Sequence, residues 1–304
     1  RRLMNRRMVR VPVWLLATLP PLFWAGNFVL ARALHTEITP IALSFWRWAA
    51  ALLILLPFVY AALWRQRAVL LRHAPMLTLF AILGVTNYNT FAYLGLQHTT
   101  ATNGVLLTSV APVFIVVLSF LIFGVRLKAA QAAGILLSLA GVIVIATGGQ
   151  PQMLAAVGWN RGDLWILAAS LDWALYSVFL RWRPADLEPV VFLAAIIAIG
   201  LVPLMVLYAG DLAAGHRFAL NLAHLGAIGY VALFPSLLAY VFWNRAVIEM
   251  GPNRTGQYLH LMPVFGAAMA VLLLGEQLHL HHLVGAAMIA VGIVLATGLG
   301  QHKA

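Results

Sequence analysis

Residues 260–278 read HLMPVFGAAMAVLLLGEQL, and residues 109–127 read SVAPVFIVVLSFLIFGVRL. One register aligns Pro112 with Pro263, Phe114 with Phe265, Gly124 with Gly275 and Leu127 with Leu278, and it continues to Gly134 with Gly285 and Gly141 with Gly292. Agreement sustained through two successive apolar segments marks an internal repeat. Both copies are too long for ordinary strands and are interrupted at the same place by proline, so they predict two transmembrane helices with a shared kink. The chain is expected to consist of two related halves.

Hydrophobic residues make up 63% of the 304 and charged residues only 9%, with a mean hydropathy of +0.94. Soluble domains carry about a quarter charged residues, so the composition predicts an all-α membrane protein. The net charge of +11 and pI near 10.9 would fit a nucleic-acid binder, but Lys and Arg stand in short runs between apolar segments, the pattern that sets topology. Nucleic acid is excluded as a partner on that ground, and the lipid bilayer is expected as one. Cysteine is absent, which excludes disulfides, thiolate metal sites and a thiol nucleophile. The first apolar run is of full membrane length without a small-residue cleavage pattern, and reads as a retained helix.

Ten apolar segments are placed near 13–34, 39–63, 76–96, 101–124, 128–148, 162–182, 187–208, 222–245, 254–274 and 279–299. The Gly-rich connection after the fifth divides the chain into a first repeat, 1–148, a connecting loop, 149–161, and a second repeat, 162–304. Arg1, Arg2, Arg6, Arg7, Arg10, Arg65, Arg67, Arg72, Arg126, Lys128, Arg181, Arg183, Arg245, Arg254 and Lys303 fall on one side. The other side has Arg161 and Arg217, with Arg32 near a helix end. That asymmetry puts both termini in the cytoplasm. Five helices per half, an odd number, insert the second half upside down, and inverted repeats are a transporter architecture.

The repeat reaches the other segments. PLFWAGNFVLAR (21–32) matches SLDWALYSVFLR (170–181), with Trp24 on Trp173 and Arg32 on Arg181, and Pro40 and Pro189 open the second and seventh segments. Gly84 stands where the eighth segment has Pro235. The paired weak points, Pro112 with Pro263 and Gly84 with Pro235, predict hinges around a substrate site near the bilayer midplane.

Trp24-Ala25-Gly26-Asn27-Phe28 in the first segment, Arg47 within FWRWAAALL in the second, and Pro263 followed by Leu274-Gly275-Glu276 in the ninth resemble the EamA family of the drug/metabolite transporter superfamily. The likeness covers nearly the whole chain and lies more in the pattern than in any one motif. It implies a bacterial inner-membrane exporter of amino acids or other metabolites, with aromatic amino-acid exporters of the YddG type the nearest. The first half departs from the pattern at Gly124-Val125, which lacks the acid present at Glu276.

Ionisable residues inside a membrane are costly and need a named partner. Arg47 and Asp172 are counted to a similar depth in the second and sixth segments, so they form a candidate charge pair. In one reading the pair ties the halves together. In the other, Asp172 meets a substrate ammonium or takes a proton, and Arg47 meets a carboxylate. Ser236, Tyr240, Trp243 and Asn244 fall on one helical face. Tyr88, Asn89 and Tyr93 in the third segment, Trp173 and Tyr176 in the sixth, and Trp24 and Asn27 in the first complete a polar-aromatic set. Asn103, and Gln257 with His260 before the Pro263 kink, are added as substrate-binding candidates. In lipid such atoms must face a bundle interior or a watered cavity. Trp14, Trp64, Trp159 and Trp182, near segment ends, read instead as interfacial anchors.

Such a cavity suits a ligand with an apolar or aromatic body and a small polar head. Sugar phosphates would require several buried cations, and only Arg47 is available. His279, His281 and His282 cluster after the ninth segment without a complete ligand set and read as a loop, so neither a metal nor another cofactor is expected. No Gly-rich phosphate loop occurs, which argues against nucleotide-driven transport. The glycines of the fifth and tenth segments predict that these two pack together as scaffold. The reading is therefore a non-enzymatic secondary transporter for a small-molecule substrate, an amino acid or related metabolite, for which a monomer would suffice. A proton-coupled drug or cation exporter, with Asp172 as shuttling carboxylate, is the alternative, and an intramembrane enzyme a third.

Cysteines placed at Gln301 and His281 test the topology. An impermeant thiol reagent should reach position 301 only from the cytoplasmic side and position 281 only from outside; the reverse pattern overturns the assignment.

Overall fold

The computed structural model describes residues 11–150, 152, 160–274, 277 and 279–298. Gly275, Glu276, Leu278, the N-terminal arginines, Lys303 and Trp159 lie outside the described residues, as does most of the 149–161 connection. In chain order the helices are α1 (Val13–Ala33), α2 (Pro40–Arg65), α3 (74–98), α4 (101–123), α5 (Ala129–Ala146), α6 (Arg161–Trp182), α7 (Pro189–Ala213), α8 (Leu222–Met250), α9 (252–274) and α10 (Leu280–Thr297), with a short helix, Arg67–Arg72, before α3. No strand occurs among the described residues. Eight of the helices, all but α3 and α9, are long and apolar enough to cross a membrane. Asn87, Asn89, Gln257 and His260 interrupt the apolar character of α3 and α9.

Local chemistry explains where helices begin and end. Thr39 Oγ1 accepts from Ala42 N at 3.1 Å, and Pro40, which has no N–H to waste, opens α2. Asn160 and Asp163 cap α6 reciprocally, through Asn160 Oδ1 to Gly162 N at 2.7 Å and Asp163 Oδ2 to Asn160 N at 3.0 Å. α8 runs on past the predicted residue 245 and stops at Gly251, whose φ of 84° a side chain would resist. His281 and His282 belong to the first turn of α10 rather than to a loop.

Proline lacks an N–H and crowds the carbonyl four residues back, so distortion falls on its N-terminal side. α4 breaks at Ser109–Val110 ahead of Pro112, and α9 tightens to a 3₁₀ turn over Gln257–His260 ahead of Pro263. The two breaks touch, with His260 Nε2 3.1 Å from Ser109 O. α3 and α8 each contain a six-residue π segment, Ile82–Asn87 and Leu233–Leu238. These coincide in the register that aligns Pro112 with Pro263, and Gly84 and Pro235 are the third residue of each.

Packing crosses between the two halves of the chain. α1 lies against α8 and α9, α6 against α3 and α4, α2 against α7, and α5 against α10. Phe58, Leu121, Leu222 and Leu272 are exposed, as a lipid-facing surface requires. Trp14, Trp64 and Trp182 are exposed too, in keeping with an anchoring role.

α5 and α10 meet backbone to backbone. A Cβ on Gly134 would lie 2.5 Å from Gly292 O, one on Gly141 2.6 Å from Gly285 O, one on Gly285 2.7 Å from Gly141 O, and one on Gly292 2.6 Å from Gly134 O. Only hydrogen fits where backbones meet this closely. Substituting G134A or G292A should cost about 1–3 kcal/mol by overpacking, read as a lower midpoint of thermal unfolding in detergent. G210A, where nothing lies within 4 Å, should leave that midpoint unchanged.

Candidate functional site

Arg47 of α2 is fully buried. Its Nε donates to Ser236 Oγ at 2.6 Å, Nη1 to Asn27 Oδ1 at 3.1 Å and Tyr93 Oη at 2.8 Å, and Nη2 to Pro235 O at 2.9 Å. A guanidinium has five N–H donors, and four are spent on neutral acceptors drawn from α1, α3 and the π segment of α8. No ion pair to Arg47 occurs among the described residues. Trp24 Nε1 shares the Pro235 carbonyl at 2.9 Å, which is possible because a carbonyl has two lone pairs. On the opposite π segment Tyr240 Oη donates to Gly84 O. Each π segment is thus held by side chains of the other half.

Trp173 stands beside this network at the centre of an aromatic cluster. Its ring centroid lies 4.9 Å from Trp24, 4.9 Å from Tyr88, 5.1 Å from Tyr176 in a stacked pair, 5.2 Å from Tyr240 and 5.5 Å from Trp243. Trp48 adds an edge contact to Tyr240 at 5.1 Å. Two tyrosine–asparagine bonds flank the cluster. Tyr93 Oη donates to Asn27 Oδ1 at 2.7 Å, and Tyr176 Oη donates to Asn244 Oδ1 at 3.0 Å. In the repeat Asn27 aligns with Tyr176 and Tyr93 with Asn244, so the same bond recurs with the residue types exchanged. Trp48 Nε1, Asn89 Nδ2 and Trp173 Nε1 are buried donors without a well-aligned acceptor; Asn89 lies beside the Tyr240 hydroxyl. Unspent donors around a buried cation can recognise a carboxylate or another small anion.

Trp24, Asn27, Arg47, Tyr88, Asn89, Tyr93, Trp173, Tyr176, Tyr240, Trp243 and Asn244 therefore gather in one place, from five helices. Four candidates, Asn103, Gln257, His260 and Asp172, do not join it. Asn103 Nδ2 donates to Thr99 Oγ1 at 3.2 Å near the start of α4, and Gln257 Nε2 turns back to Asn253 O at 3.2 Å. His260 belongs to the contact between the α4 and α9 breaks, where its Nδ1 is buried without a partner. The expected pairing of Arg47 with Asp172 is not formed. Trp173 takes the core-facing position, and Asp172, one residue and about 100° round the helix, is half-buried beside Asn87, with Oδ2 unpartnered.

At each end of the bundle a histidine–carboxylate pair bridges the halves. At the end with few arginines His224 Nε2 lies 2.8 Å from Glu37 Oε2, and Thr39 Oγ1 donates to Asp211 Oδ2 at 2.5 Å. At the arginine-rich end His73 Nε2 lies 3.3 Å from Asp186 Oδ1, and Gln66 Nε2 donates to Glu188 Oε1 at 2.8 Å. Glu37 aligns with Asp186 and His73 with His224 in the repeat. Sequence reasoning missed these pairs, together with Trp48 and with Ser177, which accepts from Trp243 Nε1 at 3.0 Å. The first pair was detectable as acid and histidine recurring in register; Ser177 carries no signal of its own.

Residues 12–147 and 160–298 each match the EamA-like transporter family, and the chain belongs to that family. It is 26% identical over 281 residues to the uncharacterized transporter YyaM of Bacillus subtilis, covering 91% of both chains. It is 27% identical over 294 residues to a probable amino-acid metabolite efflux pump of Salmonella typhimurium, covering 92% of this chain and 93% of the other. A crystal structure with 21% identity superposes with a TM-score of 0.76 over 95% of this chain and 97% of that one, which shows the fold alone. The chain is a multi-pass membrane transporter of a small-molecule substrate, and not an enzyme.

Replacing Tyr240 by Phe strands the Gly84 carbonyl, and a buried acceptor left without its donor should cost about 1–3 kcal/mol. Thermal unfolding of the Y240F variant should register that loss; an unchanged midpoint would mean that the bond does not hold the α3 π segment.

Proposed function

We propose that this EamA-family transporter resides in the bacterial inner membrane, with both termini cytoplasmic, and exports small amphipathic metabolites by alternating access, aromatic and other apolar amino acids foremost. The observation that carries the reading is Arg47, a buried cation with neutral partners only, beside an aromatic cluster with unspent donors. A substrate carboxylate would supply the missing negative charge, and its apolar body would lie against Trp173 and its neighbours. The amino-acid efflux relative in Salmonella supports the same substrate class.

In this reading ten transmembrane helices form two inverted five-helix repeats, with α3 and α9 as the two polar spans. Support comes from the two family matches, from contacts that recur in register (α1 on α8 and α9, α6 on α3 and α4), and from the reciprocal glycines of α5 and α10. Gly84 and Pro235 in the π segments, and Pro112 and Pro263 beyond the helix breaks, are the hinges, since backbone out of α register bends at least cost. The Glu37–His224 and His73–Asp186 pairs are gates on the two faces, and one opens while the other holds.

Asp172 favours the second reading, proton-coupled export, because a half-buried carboxylate with an unpartnered oxygen can carry a proton or an ammonium.

Three probes separate the roles: phenylalanine, phenethylamine, which lacks the carboxylate, and 3-phenylpropionate, which lacks the ammonium. In proteoliposomes W173A should weaken phenylalanine handling five- to thirtyfold, from a loss of about 1–2 kcal/mol of aromatic contact. R47Q should impair phenylalanine and phenylpropionate while sparing phenethylamine, and D172N should impair the two amines while sparing phenylpropionate. If D172N instead abolishes the response to a pH gradient for every probe, the proton-coupled reading replaces the ammonium one. Equal loss for all probes in R47Q, with the fold intact, removes Arg47 from substrate recognition.

A further inference from the structure

A cavity of about 290 Å³ opens at the arginine-rich end, between α7, α8 and the residue that follows α6. Its walls are largely apolar, with Phe192 and Ile248 among them, and its polar groups are Arg183, Asn244, Arg245 and Glu249. The two arginines differ in kind. Arg245 Nε is tied to Glu249 Oε1 at 2.7 Å, one helical turn away, so its charge is answered. Arg183 has neither an acidic partner nor a side-chain hydrogen bond among the described residues, and its Nη1 is fully buried. The guanidinium sits 5.9 Å from the centroid of the Phe192 ring. Desolvation lowers its pKa from the ordinary arginine value, with the nearby Tyr176 opposing the shift. An arginine that served only to set topology would extend its long side chain into water and leave no donor stranded.

Asn244 lines this cavity and accepts the Tyr176 hydroxyl at 3.0 Å, while Tyr176 stacks on Trp173. One hydrogen bond therefore separates the cavity from the aromatic cluster. We propose that the cavity is the cytoplasmic capture site for a small carboxylate-bearing metabolite. Arg183 binds the carboxylate, Phe192 and Ile248 receive the apolar body, and Asn244 with Tyr176 is the door to the central cluster. The cytoplasmic placement rests on the orientation proposed above; the anion site itself rests on the unanswered Arg183.

Arginine footprinting with phenylglyoxal on the full chain purified in detergent tests the site directly, using phenylacetate as the anionic probe and phenethylamine as the cationic one. Arg181, exposed two residues away, serves as the internal control. Phenylacetate should slow modification of Arg183 at least fivefold without protecting Arg181, and phenethylamine should protect neither. Equal modification of Arg183 with and without phenylacetate, or equal protection of both arginines, overturns the proposal. In proteoliposomes R183Q should lower transport efficiency for phenylalanine about tenfold and for phenethylamine less than twofold, with R183K restoring part of the loss; equal losses for both probes also overturn it. A protein that moves neither probe but shows the footprint keeps the capture site and loses the substrate assignment.

Discussion

A guanidinium buried in an apolar bundle has to be solvated by the protein itself, and the mutual positions of α1, α2, α3 and α8 follow from how that is done. The desolvation cost of such a charge is several kcal/mol even after relaxation, so acceptors must arrive from all sides at once. Arg47 draws them from Asn27 on α1, Tyr93 on α3, and Ser236 with the Pro235 carbonyl on α8. No two of these helices can part without stripping the cation of an acceptor. Displacement of any one of these helices is therefore coupled to the others through Arg47.

The rest of the bundle divides into regular helices in close contact and helices with irregular backbone. α5 and α10 meet backbone to backbone through four glycines, and a contact this close has no alternative arrangement at similar energy. α3 and α8 carry π segments, while α4 and α9 are broken ahead of their prolines. Side-chain hydrogen bonds that can be exchanged hold these irregular stretches, which in lipid are tolerable only inside protein or beside a cavity. The polar cluster and the irregular backbone thus require each other.

How much of this was legible in the sequence depends on what each contact is made of. The all-helical class, the α5–α10 seam and the breaks ahead of Pro112 and Pro263 came from periodicity, glycine spacing and paired prolines, all of which are properties of residue order. The gathering of Trp24, Tyr93, Trp173, Tyr240 and Trp243 followed from their placement on inward faces. The partners of Arg47 did not follow, because the decisive acceptor is the Pro235 carbonyl, and a backbone atom freed for outside donors leaves no mark in a sequence. Matching Arg47 to Asp172 by depth alone failed for a related reason: depth fixes height along a helix but not azimuth, and Trp173 had the stronger claim to the core. His260 lies apart from the cluster because its ring meets the Ser109 carbonyl at the α4 break, and Gln257 because its side chain turns back to Asn253 O.

Where the two halves agree they share framework contacts, and where they differ they set different charges beside those contacts. On the two-fold reading the Tyr93–Asn27 bond and the Tyr176–Asn244 bond are the same contact with donor and acceptor residues exchanged. The first lies under Arg47. The second has no cation over it, since Ile196 stands at the position that matches Arg47, and it faces instead the cavity that holds Arg183. The two bonds therefore meet different charged surroundings, Arg47 beside the first and the Arg183 cavity beside the second. The repeat preserves the framework contact, and residues that differ between the halves, Arg47 against Ile196, change the polarity around it.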